Sequence, residues 1–358
     1  MSKFAFMIHP LDITDYTRKF PLLGKMPEQL ISNVTKLFPP LHVSDIEGVV
    51  SPHAETSGWF VGCPLTSQQM LSLPQDYVLK KIIKTGRLAE KLGADILGLG
   101  AMTSVVGDAG ITVNRELDIA VTTGNSYTVA VACQAVKKAS ELMEVDLKNA
   151  EILVLGATGS IGAVCAQILA QDAKYMTVAG RNKAKLERLA HRVFYQTGLS
   201  VRIATDVRTA LKRADIIIAV TAAVDELIFP EDLKPGAIVC DVARPRDVSK
   251  RVAAERDDVL VIEGGVVQVP GPANFNFNFG YPTGMAYACM AETMILALEG
   301  RRESYSLGRE LSIERVTEIA ALADKHKFKL AGFRSFDRPV DNQEIGQICD
   351  RAKKKKAG

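Results

Sequence analysis

The chain of 358 residues lacks several things. Its six cysteines (Cys63, Cys133, Cys165, Cys240, Cys289 and Cys349) never form C-x-x-C, and its five histidines are scattered. That spacing excludes a zinc-ribbon or disulfide-framework protein, and no metal is expected. No uncharged apolar run reaches the length of a membrane span. The opening MSKFAFMIHPLD has too short an apolar stretch for a secretory signal, so a cytoplasmic location is expected. There is no internal repeat. There is also no basic surplus beyond the end of the chain: RAKKKKAG carries five cations against a formal net charge of +3. No nucleic-acid partner is therefore expected. Residues 351–358 read as a basic, disordered, solubilising tail, able to attract an acidic partner or, at the periphery, an anionic membrane.

What is present is an ordinary globular composition, 47% hydrophobic and 24% charged, enough for two cores. The middle of the chain alternates apolar strands with helical patterns: AEILVLGATGSIG, SIGAVCAQILAQ, YMTVAGRN, KAKLERLAHRVF, LSVRIAT, DVRTALKRA, DIIIAVT, GAIVCDV and DVLVIEGG. This is the form of βαβ units around a parallel sheet covered on both faces. The expected fold class is α/β, with a doubly wound parallel-sheet NADP-binding (Rossmann) domain over 149–269. Residues 1–125 read as an N-terminal mixed α/β substrate domain, and 126–148 as a connecting helix. Residues 270–350 read as a C-terminal helical segment packing back over the cleft, and 351–358 as the tail.

GATGSIG places Gly156, Gly159 and Gly162 between a strand and a helix, with Ala157, Thr158, Ser160 and Ile161 completing the turn. Glycine there permits a tight turn and close approach of backbone to a pyrophosphate, which the helix N-terminus attracts. The second strand ends in TVAGRN. NAD enzymes place a carboxylate at that point; here stand Arg181, Asn182 and Lys183, and a guanidinium suits a 2′-phosphate. NADPH is the expected cofactor. Thr221 and Ala222 after the fourth strand, and Gly264 and Gly265 after the sixth, are expected to line the same crevice. Asp241 and Arg244 follow the fifth strand.

GYPTGMAYACMAETMILALEG reads as a buried helix. Cys289 within it is either a packing residue or a nucleophile, and its neighbours leave both open. If the helix starts near Thr283, Cys289 lies too deep to feel the positive end, and Glu292 three residues on opposes a thiolate. Thr123, Gly124 and Asn125 in TTGNSYT open a long helix. They are either cap residues or substrate contacts. In the helix YVLKKIIKTGRLAEKLG, Lys80, Lys84, Arg87 and Lys91 recur at 4-3-4 spacing opposite Val78, Ile82 and Ala89. That stripe is either a solvated face or a dock for an acidic carrier protein.

TTGNSYTVAVACQAV, ILVLGATGSIGAVC, EGGVV, MAYACMAETMILALEG and SLGRELSIERVTEIAALADKHKF together resemble the cyanobacterial-type, aldehyde-forming long-chain fatty acyl-[acyl carrier protein] reductase family. The resemblance runs from about residue 90 onward and does not extend to PGPANFNFNFGYPTG. It implies that Cys289, in ACMAETM, takes an acyl group from acyl carrier protein or acyl-CoA, and that NADPH reduces the enzyme thioester to a fatty aldehyde. It implies an aldehyde-consuming enzyme as a further partner. CDVARPRDV is similar to a segment of glutamyl-tRNA reductases. Two other readings stand beside this one. The first is a shikimate- or amino-acid-type NADP-dependent dehydrogenase without a covalent intermediate. The second is a catalytically silent NADP-binding regulator.

Overall fold

A computed structural model describes residues 2–19, 26–223 and 225–357. Small parts of three expected segments, Met1 and 20–25 in the N-terminal domain, Val224 in the Rossmann domain and Gly358 in the tail, lie outside the described residues. The chain forms two compact units. The first comprises Met1–Tyr127, Gln268–Glu310 and Glu318–Lys329; the second comprises Thr128–Val267, Leu311–Thr317 and Leu330–Gly358.

The first unit is built on strands β1 (Phe4–Ile8), β2 (Leu41–Val50), β3 (Glu55–Gly62), β4 (Ile96–Leu99) and β5 (Ala120–Thr122), in the order β2-β3-β1-β4-β5. β3, β1, β4 and β5 run parallel, and β2 is an antiparallel edge. β1 is buried along nearly its whole length, as expected of a strand covered on both faces. On one face Ala5, Met7, Leu97 and Leu99 meet the helix Gln75–Leu92 through Val78, Ile82 and Ala89. The helix Ala288–Leu298 packs on the strands too. Apart from Glu292 and Thr293 it is apolar all round, and it is almost wholly buried, which only a helix enclosed on every side tolerates. Gly98 in β4 leaves room for it, since a Cβ there would overlap Thr293 Oγ1 and lie 2.6 Å from the Phe6 ring.

The second unit has strands β6 (Glu151–Leu155), β7 (Tyr175–Ala179), β8 (Arg202–Ala204), β9 (Ile216–Ala219), β10 (Ile238–Asp241) and β11 (Leu260–Glu263). Their order is β8-β7-β6-β9-β10-β11, all parallel. This is the doubly wound Rossmann order, with its switch point between β6 and β9.

Three expectations are corrected. The C-terminal segment is not one body: Gln268–Glu310, with Cys289, belongs to the first unit, and Leu330–Gly358 to the second. The helix expected over 126–148 is Asn125–Leu142, and its first three residues also belong to the first unit. The basic tail is not disordered. The helix Asn342–Ala357 includes it, buries Ile345, Ile348, Cys349 and Ala352 as one stripe, and pairs its cations with acids. Lys353 Nζ lies 2.8 Å from Glu144, Lys355 Nζ lies 2.8 Å from Asp257, and Arg351 Nε donates to the Asp257 carbonyl at 2.8 Å.

Candidate active site

Cys289 is the one cysteine of the six that is not buried. Burial pushes the Cys63 thiol up to about 11 and raises that of Cys240 further, which leaves both inert at neutral pH. The helix carrying Cys289 starts at Ala288, with Tyr287 as N-cap, because Met285–Tyr287 is a short strand. Cys289 is therefore the second residue of its helix, in the opening turn and not deep inside it. Peptide N–H groups of that turn favour negative charge.

A second helix opening meets it there. Gly124 immediately precedes the helix Asn125–Leu142 and takes φ +73°. A Cβ built on Gly124 would overlap Cα and Cβ of Cys289 and lie 2.6 Å from its carbonyl oxygen. Only glycine satisfies both the left-handed conformation and the close approach. Thr123 is buried, and its hydroxyl donates to Ser306 O at 2.5 Å. Asn125 is buried at the start of the helix. The Ser126 N–H donates to Ser306 Oγ at 3.2 Å. The three residues 123–125 thus lie together with Cys289, and the Thr123 hydroxyl serves the turn.

Glu292 holds this junction. It is fully buried, accepting from Thr122 Oγ1 at 2.5 Å and from the Tyr127 N–H at 2.8 Å. Burial raises its carboxyl above the usual range, against the hydrogen bonds it accepts. Its oxygens are engaged with the 122–127 segment, and burial disfavours its charged form, so both lessen the expected opposition to a thiolate.

In the second unit the GATGSIG turn joins β6 to the helix Ser160–Leu169, whose N-cap is Gly159. Gly156 takes φ +85°, and a Cβ there would lie 2.5 Å from Val220 O; one on Gly162 would lie 2.6 Å from Gly156 O. Ala157, Thr158, Ser160 and Ile161 fill the turn and the first helical residues. Such a glycine cradle, under a helix whose N-cap has no side chain, fits a dinucleotide pyrophosphate. Arg181 is exposed just past β7, with no carboxylate at the strand end. The Asn182 side chain caps the next helix, accepting from Lys185 N at 3.0 Å, and Lys183 Nζ lies 3.8 Å from Glu187. Thr221 and Ala222 follow β9, and Gly264 and Gly265 follow β11, so all these residues stand at the carboxyl ends of the parallel strands. Gly264 packs on the Cys240 sulfur.

Two carboxylates shape this edge. Asp247 accepts from Thr221 N at 3.0 Å and from Thr221 Oγ1 at 2.5 Å. Sequence reasoning missed Asp247: it lies 26 residues from Thr221, and no local motif joins them. Asp241 accepts from the N–H groups of Ala243 and Val248 at 3.0 and 3.1 Å. Burial pushes its carboxyl up to about 7. Arg244 and Arg246 beyond it flank Glu263, at 3.5 and 2.9 Å. Among the described residues no cluster of His, Cys, Asp or Glu suits a metal, and no helix is long and apolar enough to cross a membrane.

The sequence model of the family Shikimate / quinate 5-dehydrogenase matches residues 134–263. The chain is 29% identical, over 96% of its own length, to "Aminotransferase PigE" of a Serratia species, and it spans 41% of that protein. It is 28% identical over 70% of its length to the long-chain acyl-[acyl-carrier-protein] reductase of Synechococcus elongatus, covering 75% of that enzyme. It is 30% identical over 48% of its length to the glutamyl-tRNA reductase of Methanosarcina barkeri, covering 40% of that enzyme. The resemblance read from the motifs is matched in part by the second of these, beside a protein named for amino transfer. By fold and by likeness the chain is related to NAD(P)-dependent oxidoreductases.

Proposed function

We propose that the chain is an NADPH-dependent acyl-thioester reductase that releases an aldehyde. The observation that carries this reading is Cys289, the one unburied thiol, at the opening of its own helix with Gly124 and a second helix opening packed against it. The Cys289 thiolate attacks the thioester carbonyl carbon, forms a new C–S bond and expels the carrier thiol, which takes up a proton. Peptide N–H groups of the two opening turns offset charge that develops at sulfur and carbonyl oxygen. The Gly156–Gly162 turn would hold NADPH, which when bound would supply the two electrons as hydride. The tetrahedral oxyanion left on the acyl carbon then collapses, breaks the C–S bond to Cys289 and frees the aldehyde. The balance is one thioester, one NADPH and one proton giving aldehyde, thiol and NADP+.

Arg181 is the residue proposed to favour NADPH over NADH. The acyl donor is proposed to be an acidic acyl carrier protein, or acyl-CoA. The stripe of Lys80, Lys84, Arg87 and Lys91, all exposed on one helix face, is the candidate dock. An aldehyde is also the carbonyl form that amino transfer consumes. The likeness to a protein named an aminotransferase supports an aminating enzyme as the aldehyde-accepting partner.

The test is incubation with acyl carrier protein thioesters and with acyl-CoA, followed by intact mass and by aldehyde measurement with NADPH. The expected result is an acyl adduct and aldehyde in the wild type and neither in Cys289→Ala. Aldehyde formation that survives Cys289→Ala would instead support direct hydride transfer without a covalent step.

A further inference from the structure

The segment that leads into Cys289 alternates aromatic rings with asparagine: Phe275, Phe277, Phe279 and Tyr281 against Asn274, Asn276, Asn278 and Gly280. It is fixed to the edge strand β2. Glu47 and Asn274 exchange backbone hydrogen bonds, both 2.9 Å, and Ser44 Oγ donates to Phe275 O at 2.9 Å. The asparagines are exposed, and the rings face the other way.

The rings form a continuous series. Tyr287, the N-cap of the Cys289 helix, meets Tyr281 at 4.9 Å and Phe279 at 6.2 Å between centroids. Phe279 meets Phe60 at 5.8 Å, and Phe60 meets Phe277 at 6.0 Å. The floor, Phe60 and Phe275, is buried at 1% and 4% exposure, whereas Phe277, Phe279, Tyr281 and Tyr287 are only half-buried. Four large rings held part-way in solvent are a poor way to finish a core and a suitable way to line an apolar ligand. Their order is informative. The two tyrosines, with polar tips, come at the Cys289 end, and the phenylalanines lie further along, matching a thioester with its polar carbonyl at the sulfur and a hydrocarbon chain beyond it.

We infer that Phe277, Phe279, Tyr281 and Tyr287 form the wall along which the hydrocarbon chain of a Cys289-bound acyl group lies, and that they set the preference for long acyl chains. The inference rests on the proposed acylation of Cys289. The substrate class is an acyl thioester with an apolar chain.

The experiment compares acetyl-CoA with hexadecanoyl-CoA, reading the rate of adduct formation on Cys289 by intact mass. Phe277→Ala and Phe279→Ala are the variants, with Phe277→Leu as the conservative control and melting temperature as the check on folding. Each alanine variant is expected to slow hexadecanoyl transfer about tenfold at subsaturating substrate, the effect of losing roughly one good apolar contact. Acetyl transfer should be unchanged, and Phe277→Leu should restore most of the long-chain rate. Equal slowing of both substrates, or no change in either, overturns the wall while leaving the acylation reading intact. Absence of any adduct in the wild type overturns both. If Phe277→Ala does not fold, Phe279→Ala carries the comparison.

Discussion

Gly124 lies against the backbone of Cys289, so closely that no side chain fits between them. This contact brings the opening of the helix Asn125–Leu142 to the thiol. Gly124→Ala must meet both the overlap and a positive φ, a conformational cost of about 1 kcal/mol or more. We expect lower thermal stability and at least about tenfold slower alkylation of Cys289 by iodoacetamide near neutral pH. An unchanged alkylation rate in a folded variant would dissociate the glycine from the reactivity of the thiol.

Glu292 fastens the same junction. Glu292→Ala leaves the Thr122 hydroxyl and the Tyr127 N–H without their buried acceptor, at roughly 1–3 kcal/mol for each group. Glu292→Gln keeps the volume but sets an NH2 group against one of the two donors, so it should lose less. Denaturant unfolding is expected to rank wild type above Gln above Ala. Equal midpoints for all three would show that the carboxyl does not hold the turn.

Arg181 stands where NAD enzymes carry an acid. Arg181→Ala is predicted to raise KM for NADPH about tenfold or more, the worth of one charge-assisted pair, and to leave KM for NADH nearly unaltered. Steady-state kinetics with both cofactors decide it, and an unaltered preference removes the assignment.

Charge reversal on the stripe separates the two acyl donors. Lys84→Glu with Arg87→Glu is expected to raise KM for carrier-bound substrate roughly fivefold or more at low salt, and to leave acyl-CoA alone. Arg87 also lies 3.7 Å from Glu116 on the exposed surface, a pair of small worth, so stability should be little affected.

Asp241 gives a pH dependence of stability. Its folded carboxyl is raised to about 7 by burial, above the ordinary carboxylate value near 4. The folded state therefore holds this proton where the unfolded state has lost it. The contribution is fully present below about pH 4, is lost as pH rises towards about 7, and is constant above that. Melting temperature measured from pH 5 to 8 should fall for the wild type relative to Asp241→Asn. Parallel curves would count against it.

The second unit was the more legible in sequence. Its strands are buried on both faces and so appear as short apolar runs, ILVL, IIIA, IVCD and LVIE, and GATGSIG marks the first turn. In the first unit β2 went unread, because its register shifts between His42 and Ser44 and between Ile46 and Val49 break the two-residue period. The start of the Cys289 helix was misplaced for a related reason. Tyr287 makes no side-chain cap bond, so no Ser, Thr, Asp or Asn announces residue 288. The lysine run hid the apolar stripe that makes the last residues helical. The candidate nucleophile was visible as a residue. Its partners were not, since Thr122 and Glu292 are 170 positions apart.

That separation bears on biosynthesis. The six strands of the second unit leave the ribosome before the Ala288–Leu298 helix, which the first unit needs on its sheet. At translation speeds of about 5–20 residues per second, β1 to β5 wait several seconds or more for the helix that will cover them. During that interval Thr122 and Gly124 have neither Glu292 nor Cys289 beside them. The junction that holds Cys289 against Gly124 therefore forms only after residue 292 has been synthesised.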